Sequence, residues 1–350
     1  MLMVIFGAGA SFDSCPTYLP GAQVPMSGDQ ARLNKLYRPP LANELFENRP
    51  LFAEAIDRFP ECRTIVPRLR NLGERSLEAT LEDIQGQSEA FPRAKQELAA
   101  VRCYLHRVIT ETEREWQDIN KHVTNHLTLL REIERSCKEP VCLVTFNYDT
   151  LLEDALLHFG LHIDSMSAYT QKHAFYKLFK LHGSVTWARQ VEPEIVSKSI
   201  NPDEAMRLLI QRVAELRITD RYIFNRDRSM GIVQGTLAFP AIAIPVETKR
   251  NFECPPSQLE ELIALLPQTS KILAIGWRAT EAHFLALLKE NLSRSVQMWI
   301  VAGPDQRQGQ DIKDRFCREM LPKNVPIASV DQGGFTEFML TGRAAQFLAS

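Results

Sequence analysis

Five short runs of apolar residues punctuate this chain, at Leu2–Phe6, Val141–Phe146, Ile272–Ile275, Val296–Val301 and Ile327–Val330, with weaker runs at Lys177–Leu181 and Ala241–Ile244. Continuous apolar runs bounded by turn residues predict strands buried on both faces. Helical spacing separates several of them, and that alternation predicts an α/β fold: a doubly wound, Rossmann-like parallel sheet covered by helices on both sides. Ligands of such sheets bind outside the carboxyl ends of the strands, so chemistry is sought there.

Between the first two strands the period changes. From Gln96 to Cys137 there is neither Gly nor Pro, and Leu98, Val101, Leu105, Val108, Ile119, Val123, Leu127, Leu130 and Ile133 recur at threes and fours. One unbroken helix of that length would span roughly 60 Å. The segment is therefore expected to form a helical hairpin that breaks near Gln117–Lys121. The resulting organisation is one domain over residues 1–350, with a mostly helical insertion at 15–138 and a second insertion at 189–250 that mixes a helix near Glu204–Leu216 with loops. Proline and polar residues around Ser14–Pro40 predict a loop over the ligand site.

Composition narrows the function classes. The 350 residues carry 41 basic and 43 acidic side chains and are 45% hydrophobic, which suits a large core and gives no direct evidence of nucleic-acid or membrane binding. Seven cysteines without a C-x-x-C pair fit a reducing compartment and argue against a zinc ribbon, so no metal is expected. The apolar start lacks a basic segment and runs into Gly7 and Gly9, reading as a strand rather than a signal peptide. Without an apolar run of about 18 residues there is no membrane span, and a cytoplasmic location is expected.

Four motifs follow the predicted strands. Gly7-Ala8-Gly9-Ala10-Ser11 ends the first: its glycines either let backbone amides approach a pyrophosphate or simply make a tight turn. Phe146-Asn147-Tyr148-Asp149 ends the second: Asn147 and Asp149 can offer an amide and a carboxylate to a polar ligand, while Asp149 is equally suited to cap a helix from Thr150 to Phe159. Leu181-His182-Gly183-Ser184 offers a histidine able to exchange a proton near neutral pH. Ile275-Gly276-Trp277 precedes Thr280-Glu281, and Glu281 is either a charge at a helix start or a ligand contact.

Taken in order, GAGAS, TFNYD, KLHGS and IGW resemble the sirtuin-like NAD⁺-binding family, in particular its bacterial antiphage-defence branch. The resemblance covers most of the chain apart from the helical insertion and much of 189–250. It implies that Gly7, Ala8, Gly9 and Ser11 form the phosphate-binding turn, that Asn147 and Asp149 hold the nicotinamide ribose and carboxamide, and that His182 is the catalytic histidine. Gly276, with Trp277 and Glu281 beside it, would belong to a later NAD⁺-contacting loop, and Val301-Ala302-Gly303 to the strand end near the adenosine. The family's deacylases share a four-cysteine zinc module, which this sequence lacks.

That pattern implies an NAD⁺ glycohydrolase that takes NAD⁺ as substrate, releases nicotinamide and ADP-ribose, and depletes NAD⁺ during abortive infection. Catalysis would rest on Asn147, which fixes ribose and water, and on His182 as base, at an oxocarbenium-like centre. The resemblance also implies a homo-oligomer acting with a defence partner such as a HerA-type ATPase or an Argonaute-type sensor. Two other classes stay open: a non-catalytic NAD⁺ or ADP-ribose binding module that regulates a partner, and a protein ADP-ribosyltransferase using the same residues. His122 and His126 read as a solvated helix face, His158 and His162 as structural residues around a helix stop at Gly160, and all seven cysteines as small fillers, with Cys15 nearest the site.

Overall fold

The first predicted strand is buried along its whole length because it occupies the middle of a sheet. In the computed structural model, which describes residues 1–18, 28–72, 75–88, 90–171, 174–192, 200–246, 252–292, 296–323 and 325–350, the strands in chain order are β1 (Leu2–Phe6), β2 (Val141–Thr145), β3 (Tyr176–Lys180), β4 (Gly183–Glu192), β5 (Arg217–Phe224), β6 (Gly231–Val233), β7 (Thr236–Ile242), β8 (Lys271–Ile275), β9 (Gln297–Val301) and β10 (Ile327–Asp331). Six of them form one sheet in the order β10-β9-β8-β1-β2-β3. Every pairing in that sheet is parallel. β1 pairs with β2 on one side and β8 on the other, so the strand order reverses at β1, as in the doubly wound arrangement expected from the sequence.

The run at Ala241–Ile244 lies elsewhere. Its strand, β7, belongs to a second, antiparallel sheet in the order β5-β4-β7-β6. Where described, residues 189–250 thus mix strands of this sheet with an α-helix, Pro202–Gln211, which starts before the expected Glu204 and ends before the expected Leu216. Its Asn201 side chain accepts a hydrogen bond from Glu204 N at 2.9 Å and so caps the helix start.

The long helical stretch divides where expected but does not fold back as a hairpin. Helix Pro92–Asn120 ends at Lys121 and His122, both left-handed with φ of 52° and 61°, and helix Asn125–Ser136 begins after Thr124, whose hydroxyl accepts from Leu127 N. Leu127, Leu130 and Ile133 of the second helix pack into the core of the parallel sheet. Leu98, Val101, Leu105 and Val108 of the first pack instead with Val185, Phe239 and Ile242 of the antiparallel sheet. The apolar stripe thus serves two cores. Sequence periodicity records that a face is buried, without recording against what.

The predicted loop around Ser14–Pro40 is partly helical, with Gly28–Tyr37 forming a helix, while residues 19–27 lie outside the described residues. Arg38 secures its end: the buried guanidinium donates to the carbonyls of Phe12 and Tyr18 and stacks over Phe12 and Trp116. Burial lowers the pKa of Arg38 to about 10. No helix among the described residues is long and apolar enough to cross a membrane.

Candidate functional site

A cleft of about 1080 Å³ opens along the carboxyl edge of the parallel sheet and extends beneath the helical insertion. Gly7, Ala8, Gly9, Ser11, Asn147, Asp149, His182, Gly276, Trp277 and Glu281 all line it, as do Val301, Ala302 and Gly303. Residues far apart in sequence meet there because β1, β2, β8 and β9 run parallel and end on the same edge.

The turn after β1 packs tightly against the turn after β8. Gly9 N donates to Gly276 O at 3.1 Å, and Gly7 N donates to Ile275 O at 3.0 Å. A Cβ on Gly7 would lie 2.4 Å from Gly276 O, and one on Gly276, whose φ is +60°, would lie 2.3 Å from Ala10 N. These glycines are required by contact between two backbone turns, whether or not a ligand is bound. The helix after the first turn is short, Ala8–Phe12.

Asn147 sits over that turn. Its Nδ2 donates to Gly7 O at 2.9 Å and to Ser11 Oγ at 2.8 Å, and Ser11 Oγ donates to Asp149 Oδ2 at 2.6 Å. Asp149 also caps, its Oδ1 accepting from Leu151 N at 3.2 Å as helix Leu151–Leu157 begins. Its two carboxylate oxygens are thus divided between Ser11 and the start of that helix. The backbone of this segment is held from below, because Lys180 Nζ donates to Asp149 O and lies 3.0 Å from Glu153 Oε1. Burial pushes the Glu153 carboxyl up to about 7, against the pull of Lys180.

His182 occupies the crossing between the two sheets, after β3 and immediately before β4. Its carbonyl accepts from Ala243 N at 2.9 Å, while Leu181 bonds Thr145 O through its N–H and Glu253 N through its carbonyl. Gly183 follows with φ +85°, where a Cβ would lie 1.9 Å from Ala241 O. The imidazole is 4% exposed and tilts against Phe146, with centroids 4.8 Å apart. Phe146 in turn stacks on Trp277 at 5.8 Å. Trp277 Nε1 donates to Glu281 Oε2 at 2.6 Å, and Glu281 stands at the start of helix Ala282–Asn291. These two residues thus brace the wall as well as line it.

Several side chains contribute that the sequence motifs did not single out. Thr112 and Glu113 line the cleft from helix Pro92–Asn120, Arg278 from the turn after β8, and Arg315 from helix Gln306–Met320 after β9. Thr112 and Glu113 left a trace in the sequence. They interrupt the apolar face between Ile109 and Trp116, at positions where a helix spaced by threes and fours points inward.

Of the other histidines and cysteines, His126 and Cys317 depart from expectation. His126 does not lie on a solvated face with His122: it is buried between Phe6 and Phe335, and burial lowers its pKa to about 3. Gly160, at φ +76°, lies in the turn after helix Leu151–Leu157, between exposed His158 and His162. Cys15 packs on Tyr18 and Trp116, whereas Cys317 is exposed and is no core filler. Among the described residues no group of three or more His, Cys, Asp or Glu is placed to hold a metal ion.

Comparison with known proteins gives three results. The SIR2-like domain matches residues 141–320. No curated protein matches the sequence. Among solved structures, a mutant Sir2 homologue in complex with ADP-ribose is similar at 14% identity, covering 99% of this chain and 91% of that one, with a TM-score of 0.38. A Sir2 enzyme bound to a propionylated peptide is similar at 13% identity over 99% and 94%, with a TM-score of 0.36. A Sir2–p53 peptide–NAD⁺ complex is similar at 14% over 98% and 91%, also with a TM-score of 0.36. Likeness at this level carries no functional argument.

Proposed function

The chain belongs to the SIR2-like family, and from that premise we propose that the cleft binds NAD⁺ and cleaves its nicotinamide–ribose bond with water, giving nicotinamide and ADP-ribose. The observation that carries this reading is the meeting of Asn147 and His182 on one cleft at the point where strand order reverses. A dinucleotide lies across such a point, with its pyrophosphate near the turn after β1.

Breaking the bond builds positive charge on the ribose, so the site must orient the leaving group, keep bulk water away and present a nucleophile. Asn147 is fixed by two bonds to the Gly7–Ser11 turn, which leaves its amide oxygen for ribose or the attacking water. His182, held against Phe146, takes a proton from a ribose hydroxyl or from that water. Asp149, fixed by Ser11 and Leu151, is placed to hold the carboxamide of the leaving nicotinamide. Depletion of cellular NAD⁺ in antiphage defence, within a homo-oligomer and beside a HerA-type ATPase or an Argonaute-type sensor, is the setting proposed for this chemistry.

Incubation of the purified chain with NAD⁺, with nicotinamide and ADP-ribose followed by chromatography, tests the reading. Release is expected from the wild type and is expected to fall at least about 100-fold in Asn147→Ala and in His182→Ala. Tight NAD⁺ binding without release, alone or with its partner, would instead assign the chain to regulatory binding. ADP-ribose recovered on protein would assign it to transfer.

A further inference from the structure

Next to the Asn147–Asp149 segment, at Thr150, lies a polar cluster that the chemistry above does not use. Glu113, on helix Pro92–Asn120, is 2% exposed. Its Oε2 accepts from Thr150 N at 3.0 Å, and its Oε1 accepts from Thr150 Oγ1 at 2.6 Å. Arg228 completes the cluster, donating through Nη2 to Glu113 Oε1 at 2.9 Å and to Thr150 Oγ1 at 2.7 Å. Gln117 donates to the neighbouring Asp154, whose Oδ2 lies 3.4 Å from Thr150 Oγ1.

Arg228 reaches this position at a conformational cost. It stands in the turn between β5 and β6 with φ +51°, a left-handed backbone that side chains disfavour. Asn225 holds the turn in place: Arg228 N donates to Asn225 O at 3.1 Å, Ser229 N to Asn225 Oδ1 at 3.1 Å, and Asn225 N to Thr186 O at 2.7 Å. Strain maintained by surrounding bonds points to a use for the side chain so placed. Here one ion pair joins three separate stretches: the inserted helix, the turn of the antiparallel sheet, and the start of the helix that follows Asn147 and Asp149.

The structure assigns to Arg228 the role of a positioning residue: through Glu113 and Thr150 it fixes the start of helix Leu151–Leu157, and so the direction from which Asn147 and Asp149 enter the cleft. Lys180 holds the same segment from the parallel sheet, through Asp149 O and Glu153. Both sheets therefore hold this one segment. This inference rests on the reading of the cleft as an NAD⁺-cleaving site.

The test uses the full chain with Arg228→Met, Arg228→Lys and Glu113→Gln. Three quantities are read: kcat and KM for nicotinamide release, the Kd of ADP-ribose by calorimetry, and amide hydrogen exchange at Thr150 and Leu151. A small misplacement of reacting groups costs rate more than affinity, so kcat is expected to fall about tenfold or more in Arg228→Met while the Kd changes less than about twofold. Exchange at Thr150 and Leu151 should quicken selectively, and Arg228→Lys should recover part of both effects. Glu113→Gln should lower kcat in the same way and add little when combined with Arg228→Met. Unchanged kcat in a folded Arg228→Met protein overturns the assignment, as does an equal loss of rate and affinity with exchange raised throughout the chain. Should Arg228→Met fail to fold, Arg228→Lys decides: wild-type kcat and wild-type exchange at Thr150 would overturn it. If the wild type binds NAD⁺ but releases no nicotinamide, alone or with its partner, the hydrolase reading fails by itself, and selective exchange at Thr150 and Leu151 still decides whether Arg228 holds the segment.

Discussion

Replacing Asn147 by aspartate exchanges one NH₂ for one oxygen at almost constant volume, which makes it a sharp probe of the bonds around the first turn. Asn147 Nδ2 uses both protons, one on Gly7 O and one on Ser11 Oγ, and the single proton of Ser11 is committed to Asp149. An ionised carboxylate at this position has no proton to offer, so in Asn147→Asp two donor bonds become two contacts between acceptors. Asn147 is 8% exposed, so water cannot substitute fully. Two lost bonds and poorly satisfied acceptors together cost about 3–4 kcal/mol. Protonating the new carboxyl restores one donor, but at pH 7 a group of ordinary pKa near 3.9 requires about 4 kcal/mol to do so, which caps the loss at a similar value. Unfolding entropy of about 2.1 cal/mol/K per residue gives about 0.7 kcal/mol/K for this chain, so the melting temperature should fall by about 5 °C. The sign with pH follows from a folded pKa raised above the unfolded one. The penalty is complete above the folded pKa, shrinks by about 1.4 kcal/mol per unit as pH falls toward 4, and there leaves only the one missing bond. Calorimetric melts of wild type, Asn147→Asp and Asn147→Ala between pH 8 and pH 5 provide the assay, with the alanine variant expected to show a deficit independent of pH. Equal melting temperatures of wild type and Asn147→Asp at pH 7, or a gap that widens on acidification, would refute the assignment of Asn147 as donor to Gly7 and Ser11.

Two further outcomes are expected. Gly276→Ala combines a left-handed φ of +60° with a Cβ 2.3 Å from Ala10 N, so it should cost more than about 4 kcal/mol and abolish recovery of folded protein, measured by soluble yield and circular dichroism. His126, neutral between Phe6 and Phe335 with its pKa lowered to about 3, contributes stability that is complete above the unfolded value near 6.5 and is lost as pH falls below it. Denaturant titrations should show that His126→Leu removes about 2 kcal/mol of the wild type's loss between pH 7 and pH 5, and an unchanged loss would contradict the burial argument.

The parallel sheet was legible in the sequence because its strands are buried on both faces, and Leu2–Phe6, Val141–Thr145 and Lys271–Ile275 are therefore nearly pure apolar runs. The motifs at their ends could be placed on one edge for the same reason: strands that must all be parallel end together. Glu113 and Arg228 were not legible as partners of Thr150, since nothing local links a mid-helix glutamate to an arginine in a distant turn. Nor was the antiparallel sheet, whose strand β5 is half-exposed, with only Thr219 buried along Arg217–Phe224.

By itself, then, the sequence determined the strands of the parallel sheet, where the long helix breaks, and that the Gly, Asn and His motifs share the carboxyl edge of that sheet. These follow from local periodicity and from one rule of strand direction. Tertiary structure alone decided that the two halves of the broken helix serve different cores, that Gly7 and Gly9 press on Gly276, and that Arg228 reaches Glu113 at Thr150. Each of those is a contact between segments far apart along the chain, and a pattern of hydrophobic and polar positions carries burial but not the identity of the partner.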